Sequence, residues 1–335
     1  MKTNITHSAL VELYIGGCAG SNISPAERIV RPDEDMNVLV GRPITRQVFG
    51  VHTTSLALLI GKTGLIIDNG SGVGQAAEFL KMRGVTALYI LQTHYHLDHV
   101  SGVVVNPYFL DKSGIVRGIY GPILSTVNMQ TVLDQLFAPH FWPMSPKLIG
   151  VTNPVHSFAP GETIPIMGGI RTLLLNHAGG SVAYRIPTPV GDIVIATDNE
   201  LSNELTQRSL ANFINGAKLA YIDVQYRDRE YDGTAAVGQG RTFLIRKNWG
   251  HSTPSMLRQT YELTTVAPEL TLIGHHDPKR NDDDLFVFEA EVKRAIGHLC
   301  QNISFAQECQ LIQFERNSPP RMDEVKTTLI SHSSD

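Results

Sequence analysis

Cysteines and long apolar runs are scarce in this sequence. Its 335 residues include three cysteines, Cys18, Cys300 and Cys309, and this odd number without close spacing predicts free thiols in a reducing cytoplasm. The longest apolar stretches, such as Ser55–Ile60, are too short to cross a bilayer. Residues 1–10 lack the apolar run of a signal peptide. We therefore expect a cytoplasmic protein that does not bind a membrane.

The sequence also lacks a positive net charge. Asp and Glu number 32 against 28 Lys and Arg, which gives a formal net charge of −4 at pH 7 with His neutral. Tight non-specific binding to nucleic acid needs a basic surface, so this balance counts against a polynucleotide partner. It leaves room for a small phosphate-containing substrate, which a metal site and one or two cations can hold.

The order of apolar runs and helical patterns predicts one large α/β domain over residues 1–316, followed by a polar tail, residues 317–335, that we expect to be disordered. Strands in two halves with helices between them favour two packed sheets covered by helices. Residues 24–47 are expected to form a surface loop. The predicted strands are 11–15, 55–60, 65–68, 87–91, 115–120, 170–176, 182–186, 192–196, 219–224, 270–274 and 303–314. The predicted helices are 75–83, 124–137, 201–214, 254–264 and 284–299.

The densest group of chemically active side chains lies directly after the predicted strand 87–91, in the segment Thr93-His94-Tyr95-His96-Leu97-Asp98-His99. On an extended segment His94 and His96 point to the same side, and a turn can bring Asp98 and His99 round to a second metal. Imidazole and carboxylate groups suit Zn, with Mn or Fe as alternatives. Four potential ligands at one strand end favour a metal site over a solvated polar loop.

Further candidate ligands follow other predicted strands. His177 comes after the strand 170–176, Asp198 after 192–196, and the pair His275 and His276 after 270–274. A single histidine at a strand end is usually a polar surface residue. Because these residues share one kind of position, we predict that they belong to the same metal site, with His275 and His276 as alternatives for one place in it.

The order of these ligands resembles that of the metallo-β-lactamase superfamily. Four further motifs resemble its phosphodiesterase branch, which includes tRNA 3′-processing endonucleases and bacterial cyclic-nucleotide phosphodiesterases. They are Asp68-Asn69-Gly70-Ser71-Gly72, Asp223-Val224-Gln225-Tyr226 with Glu230-Tyr231, Trp249-Gly250-His251-Ser252-Thr253, and His275-His276-Asp277-Pro278 with Asp282-Asp283. The resemblance extends over about residues 11–314.

The resemblance implies an α/β fold of the four-layer αββα metallo-β-lactamase type, with two divalent metal ions, Zn in the first instance. It assigns His94, His96 and His177 to one metal. It assigns Asp98, His99 and His275 to the second, and makes Asp198 the bridge. The implied catalytic residues are Asp98, His251, which would assist the leaving oxygen, and Asp223, which would orient His251. Since Ser252-Thr253-Pro254 also looks like a helix start, His251 is equally placed for a structural role there, and both roles are compatible.

Some features depart from the branch. Ala19 stands where an Arg is common, and neither 190–219 nor 114–160 contains the basic arm of the tRNA-processing enzymes. The aromatic loop 139–143 is open to two interpretations, a pocket wall that stacks on a base or ordinary packing. We expect a phosphodiesterase acting on a small, plausibly cyclic nucleotide. The alternatives are an RNA 3′-end endonuclease, a thioester or lactone hydrolase, and a non-catalytic binding protein. Analogy with the fold suggests a homodimer.

Overall fold

The computed structural model of the protein describes residues 11–22, 49–238, 240–316 and 318–323. The strands are β1 (Val11–Gly17), β2 (Ser55–Ile60), β3 (Thr63–Ile67), β4 (Ala87–Leu91), β5 (Val116–Pro122), β6 (Val155–Phe158), β7 (Thr163–Ile164), β8 (Ile170–Leu175), β9 (Ser181–Ile186), β10 (Ile193–Ala196), β11 (Leu219–Asp223), β12 (Thr271–Gly274), β13 (Ile303–Phe305), β14 (Leu311–Phe314) and β15 (Arg321–Asp323). The helices are α1 (Val73–Met82), α2 (Leu97–Val100), α3 (Met129–Leu136), α4 (Glu204–Ile214), α5 (Asp228–Tyr231), α6 (Pro254–Glu262) and α7 (Asp282–Ile296).

These strands form two sheets. Over the described residues, the first sheet has eight strands in the order β15-β14-β1-β2-β3-β4-β5-β6. The second has seven strands in the order β13-β12-β11-β10-β9-β8-β7. None of the helices in the described ranges has both the length and the apolar character needed to cross a bilayer.

The alternation of side chains along the strands produces four layers. In β2, Leu56 and Leu58 enter the core between the two sheets, whereas Ala57 and Leu59 face the other way and pack beneath the helices of the first sheet. The second sheet repeats the pattern, since β10 contributes two isoleucines to the inter-sheet core and Val194 to the core under its own helices. Because successive side chains of a strand point to opposite faces, each sheet is apolar on both sides. The α/β class and the αββα sandwich predicted from the sequence are confirmed.

The predicted metal ligands all follow strand ends at one edge of this sandwich. In the first sheet β3 and β4 are parallel, and in the second sheet β10, β11 and β12 are parallel. Strand β8 runs in the same direction as β10, because each pairs antiparallel with β9. The carboxyl ends of these strands therefore meet along one rim.

The structure differs from the sequence prediction at several boundaries. The single strand predicted over 303–314 is wrong, because the chain divides there into β13 in the second sheet and β14 in the first. Helix α3 begins at residue 129, where the Asn128 side chain caps it, and not at residue 124. Strands β6 and β7 were not predicted. Within the tail predicted over 317–335, β15 pairs with β14, and residues 324–335 lie outside the described residues, as does the predicted loop 24–47.

Candidate metal centre and active site

The predicted ligands come together in two groups. The donor atoms of His94, His96 and His177 lie within 4.8 Å of one another. Those of Asp98, His99, Asp198 and His275 form a second group within the same limit. The structure thus brings all seven residues of the predicted ligand set into one cluster, although no two of its four chain segments are adjacent in sequence.

Asp198 lies between the two groups. Its Oδ2 atom is 3.6 Å from His94 Nε2 and 3.7 Å from His177 Nε2, which belong to the first group. Its Oδ1 atom is 3.3 Å from His99 Nε2, and Oδ2 is 3.1 Å from His275 Nε2, in the second group. A carboxylate that faces both groups has the position expected of a bridging ligand.

A short helical turn explains how one sequence motif serves both groups. His96 has extended backbone, with ψ of 152°, and the centroids of the His94 and His96 rings lie 4.8 Å apart. Helix α2 begins at the next residue and turns Asp98 and His99 toward the second sheet. Asp98 Oδ2 then accepts a hydrogen bond from the backbone N–H of Ser21 at 2.7 Å and lies 3.2 Å from His275 Nε2.

The structure selects His275 over His276 for the cluster. His275 has φ of 58°, a left-handed conformation that reverses the chain after β12 and aims its ring at the two aspartates. His276 points the other way, where its Nε2 atom donates a hydrogen bond to the Ala306 carbonyl at 2.9 Å and its ring stacks on Phe305 at 5.1 Å. His276 is therefore a packed core residue.

Asp68 is a positioning residue to which sequence reasoning assigned no role. Its carboxylate is fully buried and receives the Thr93 N–H at 2.7 Å and the Thr93 hydroxyl at 2.7 Å. It also faces His99 Nδ1 at 2.8 Å, while the Thr93 Oγ1 atom lies 3.0 Å from His94 Nδ1. With Nδ1 of both histidines bonded in this way, their Nε2 atoms are directed at the cluster, which is how outer partners orient metal ligands.

Glu200 is a second residue that the sequence did not reveal. Its buried carboxylate accepts the backbone N–H groups of Asn248 at 3.0 Å and Gly250 at 2.8 Å. The carbonyl of Gly250 in turn accepts a hydrogen bond from His177 Nδ1 at 3.0 Å. Gly250 has φ of 91°, and a Cβ there would lie 2.0 Å from His177 Nδ1, so only glycine fits. Nothing in the sequence around Glu200 distinguishes it from a surface carboxylate.

The charges in the cluster give its carboxylates the ionised state that metal ligands require. Burial favours the neutral acids, but the positive charges of His99 and His275 outweigh it and hold the pKa of Asp98 well below its usual range. Burial likewise opposes ionisation of Asp198, and the same two histidines lower its pKa. In return, despite burial, Asp198 and Asp98 raise the pKa of His275 to about 9. The two acids thus create a field that attracts cations.

The histidines of the first group, in contrast, are kept neutral by their burial. Burial, helped by the neighbouring His99, lowers the pKa of His94 well below its usual value. Burial is also the main cause that lowers the pKa of His177 to about 4. These imidazoles are therefore neutral near pH 7 and keep a lone pair for a ligand.

Unsatisfied polar atoms show that the cluster fits divalent metals. Among the residues that the structure describes, His94 Nε2 and His99 Nε2 are buried without a hydrogen-bond partner. A buried polar atom without a partner costs free energy, and both of these atoms face Asp198. Imidazole nitrogens and carboxylate oxygens are the donors of Zn, Mn and Fe sites, and binding of a metal would displace the protons of His99 and His275.

His251 and Asp223 form a pair beside the second group. His251 Nδ1 lies 2.7 Å from Asp223 Oδ2, and the Asp223 side chain is fully buried. The His251 ring stacks on His275 with centroids 4.8 Å apart, and one of its nitrogens lies within 4.8 Å of donor atoms of His177 and Asp198. The helix-start interpretation also holds, because the Thr253 side chain caps α6.

Two other sequence features contribute no ligand to the cluster. Ala19 is buried, so its side chain offers no contact to a ligand in place of an Arg. In the aromatic loop, Trp142 packs against the outer core of the first sheet, whereas Phe141 is exposed. Of the two interpretations of this loop, ordinary packing therefore applies to Trp142.

The fold and the cluster together define an αββα protein with a His/Asp centre for divalent metals at the sheet edge. The metallo-beta-lactamase superfamily model matches residues 49–298, and the chain belongs to this superfamily, most of whose members are metal-dependent hydrolases. No sequence among the curated proteins matches the chain.

Solved structures show the same fold at low sequence identity. Zn²⁺-bound PqqB from Methylobacterium extorquens is 14% identical, with a TM-score of 0.61 over 90% of this chain and 99% of that one. The short form of human tRNase Z is 15% identical, with a TM-score of 0.58 over 90% and 99% of the two chains. Unliganded yeast PDE1 is 16% identical, with a TM-score of 0.56 over 91% and 99%.

Proposed function

We propose that this protein is a metal-dependent phosphodiesterase that hydrolyses small nucleotide phosphodiesters with the help of two divalent metal ions. The observation that carries the proposal is the Asp223–His251 pair at 2.7 Å, placed against the ligand His275. An alkoxide leaving from a phosphodiester is a poor leaving group and needs a proton or a strong hydrogen bond. A thiolate leaving from a thioester has much less need of one, so the pair favours phosphate-ester chemistry.

The ligand assignment follows the two groups of donor atoms. His94, His96 and His177 would hold one metal, and Asp98, His99 and His275 the other, with Asp198 between them. When bound, two such metals neutralise phosphate oxygens and lower the pKa of an attacking water. The protein's part is to fix these side chains in advance, through the hydrogen bonds of Asp68 and Glu200 to their outer nitrogens and loops.

His251 would serve the leaving oxygen. Its Nδ1 donates to Asp223, whose carboxylate orients the ring and stabilises its doubly protonated form, and in that form Nε2 can donate to a departing group. Asp98, held by the Ser21 N–H and His275, would act as a ligand and as an acceptor for a hydrogen bond from the attacking water. The two residues therefore divide the roles of leaving-group donor and water acceptor.

The substrate class follows from charge and from the site. The net charge of −4 disfavours a long polyanion, which supports a small diester over a transfer RNA. The second candidate is an RNA 3′-end endonuclease. Its support is the structural similarity to human tRNase Z, a fold-level likeness at 15% identity.

A hydrolysis screen tests this proposal. Purified, metal-loaded protein is offered cyclic mononucleotides, cyclic dinucleotides, an aryl phosphodiester, a precursor tRNA, a thioester and a lactone, with kcat/KM measured for each. We expect the highest value for a small nucleotide diester. A preference for precursor tRNA would support the endonuclease, and a preference for the thioester or lactone would refute phosphodiester chemistry altogether.

The metal content provides a prediction of its own. The chain should retain about two transition-metal ions per molecule, since the two donor groups share one carboxylate. Elemental analysis after mild dialysis measures this number, and activity should vanish with chelators and return with metal. A content near zero, together with activity that survives chelation, would contradict the whole assignment.

Adjacent histidines give a second, sharper prediction. His275→Ala should lower the metal content, because it removes a donor that faces both aspartates. His276→Ala should leave the metal content unchanged but reduce the free energy of unfolding by about 1–3 kcal/mol, because it removes a buried hydrogen bond to the Ala306 carbonyl and the stacking on Phe305. Elemental analysis and thermal unfolding of the two variants provide both measurements. The opposite pattern would assign the ligand to His276.

A further inference from the structure

Trp249 is a large aromatic residue that remains close to half exposed, at 46%, beside the candidate active site. It directly precedes Gly250, whose carbonyl contacts His177, and it is two residues before His251. Since consecutive Cα atoms are about 3.8 Å apart, the Cα atoms of Trp249 and His251 are separated by at most about 7.6 Å. The indole is connected to His251 through its neighbours, because Arg246 contacts both the Trp249 and Tyr226 rings and the Tyr226 ring lies 5.8 Å from that of His251.

The backbone on both sides of Trp249 is fixed. The N–H groups of Asn248 and Gly250 both donate to the carboxylate of Glu200, at 3.0 and 2.8 Å. The Tyr231 hydroxyl donates to the same carboxylate at 2.6 Å, so Glu200 is itself held in place. The indole is thus presented by a rigid loop and does not have to be ordered when a ligand binds.

A buried cation supports the ring. Arg246 is only 4% exposed, and its guanidinium donates to the carbonyls of Glu230 at 2.7 Å and Leu244 at 2.8 Å. Its Cζ atom lies 5.7 Å from the Trp249 ring centroid and 5.2 Å from that of Tyr226. This cation–π contact orients the indole while leaving a large part of it in water.

We propose that Trp249 stacks on the base of the nucleotide substrate, an inference that rests on the proposed function. A rigid, half-exposed indole next to a phosphate-binding centre offers a planar surface to a planar group, and every nucleobase has such a face. Trp249 would thereby favour diesters that carry an aromatic base over base-free ones.

Tryptophan fluorescence tests this inference without relying on turnover. The sequence contains two tryptophans, so Trp142→Phe leaves Trp249 as the sole indole. The metal-loaded variant is titrated with adenosine 5′-monophosphate and, separately, with ribose 5-phosphate, which carries the phosphate without the base. We expect quenching with the nucleotide and none with the sugar phosphate. Quenching of equal size with both would exclude stacking.

Affinities of matched variants complete the test. Trp249→Ala should weaken binding of adenosine 5′-monophosphate about tenfold, measured by calorimetry, and leave ribose 5-phosphate binding unchanged. Trp249→Phe should restore part of the loss. Phe243→Ala, which removes an exposed aromatic side chain earlier in the same loop, should not change the affinity for either ligand.

The outcomes separate this inference from the proposed function. If Trp249→Ala binds the nucleotide as tightly as the parent while the parent hydrolyses nucleotide diesters, stacking is wrong and the function stands. If neither phosphate compound binds the metal-loaded parent, the phosphodiesterase proposal fails, and the role of Trp249 fails with it.

Discussion

Replacing Asp98 by alanine should abolish phosphodiester hydrolysis while the far-UV circular dichroism stays that of the parent. The Asp98 carboxylate belongs to the second group of candidate metal ligands, where its Oδ2 atom lies 3.2 Å from His275 Nε2 and 3.5 Å from His99 Nε2. Loss of an outer partner of a metal ligand already costs about 10–100-fold in activity or affinity, so loss of a ligand should cost more. The secondary structure should survive, because Asp98 lies in the short α2 at the sheet rim and outside the apolar cores.

His96→Ala should give the same result for the first group. The matched control is Asp134→Ala, which removes an exposed aspartate from α3 and should leave kcat/KM unchanged. Steady-state kinetics on the best substrate of the screen provides the measurement. Turnover within a few-fold of the parent in either Asp98→Ala or His96→Ala would show that the ligand assignment is mistaken.

His251→Ala should separate leaving-group chemistry from metal binding. A ribose oxygen leaves poorly, so hydrolysis of a nucleotide diester should fall by about a hundredfold or more. A nitrophenolate leaves readily without a proton, so the loss on an aryl diester should be clearly smaller. The metal content should not change, because His251 is bonded to Asp223 and is not assigned as a ligand. The ratio of the two losses is the quantity to measure.

Two companion variants make this result specific. Asp223→Ala should show the same pattern more mildly, because it orients His251 and does not touch the substrate. Thr253→Ala removes the cap of α6 and should lower stability by about 1 kcal/mol without changing the ratio. Equal losses on both substrates, or loss of metal in His251→Ala, would instead identify His251 as a ligand or a structural residue.

Much of the fold was accessible from the sequence because apolar runs of strand length are its strongest local signal. Strand β4 was predicted with its bounds, since five consecutive residues pack on both faces of the sheet. The prediction of a single strand over 303–314 was wrong for the same reason, because β13 and β14 both contain apolar residues. What separates them is a reversal that includes Cys309 at φ of 63°, and a cysteine gives no sign of a left-handed turn.

The candidate site was also predictable from the sequence only in part. The clustering of the predicted ligands was accessible because each of them follows an apolar strand, and strand ends of like direction meet at one rim. The roles of Asp68 and Glu200 were not, because their partners are distant in sequence and no local pattern marks them. Asp68 contacts His99, 31 residues away, and Glu200 holds the N–H of Asn248, 48 residues away. The choice between His275 and His276 depends on one backbone angle, which composition does not encode.

The proposed ligands come from both halves of the sandwich, and this has a consequence for how the sheets are held together. His94, His96, Asp98 and His99 follow a strand of the first sheet, whereas His177, Asp198 and His275 follow strands of the second. A cation bound by both sets would therefore link the two sheets, and its binding free energy would add to the free energy needed to separate them. At this rim the inter-sheet contact is ionic, while further inside it is apolar. Loss of the cation would then remove catalytic activity and weaken the contact between the two sheets at this rim at the same time.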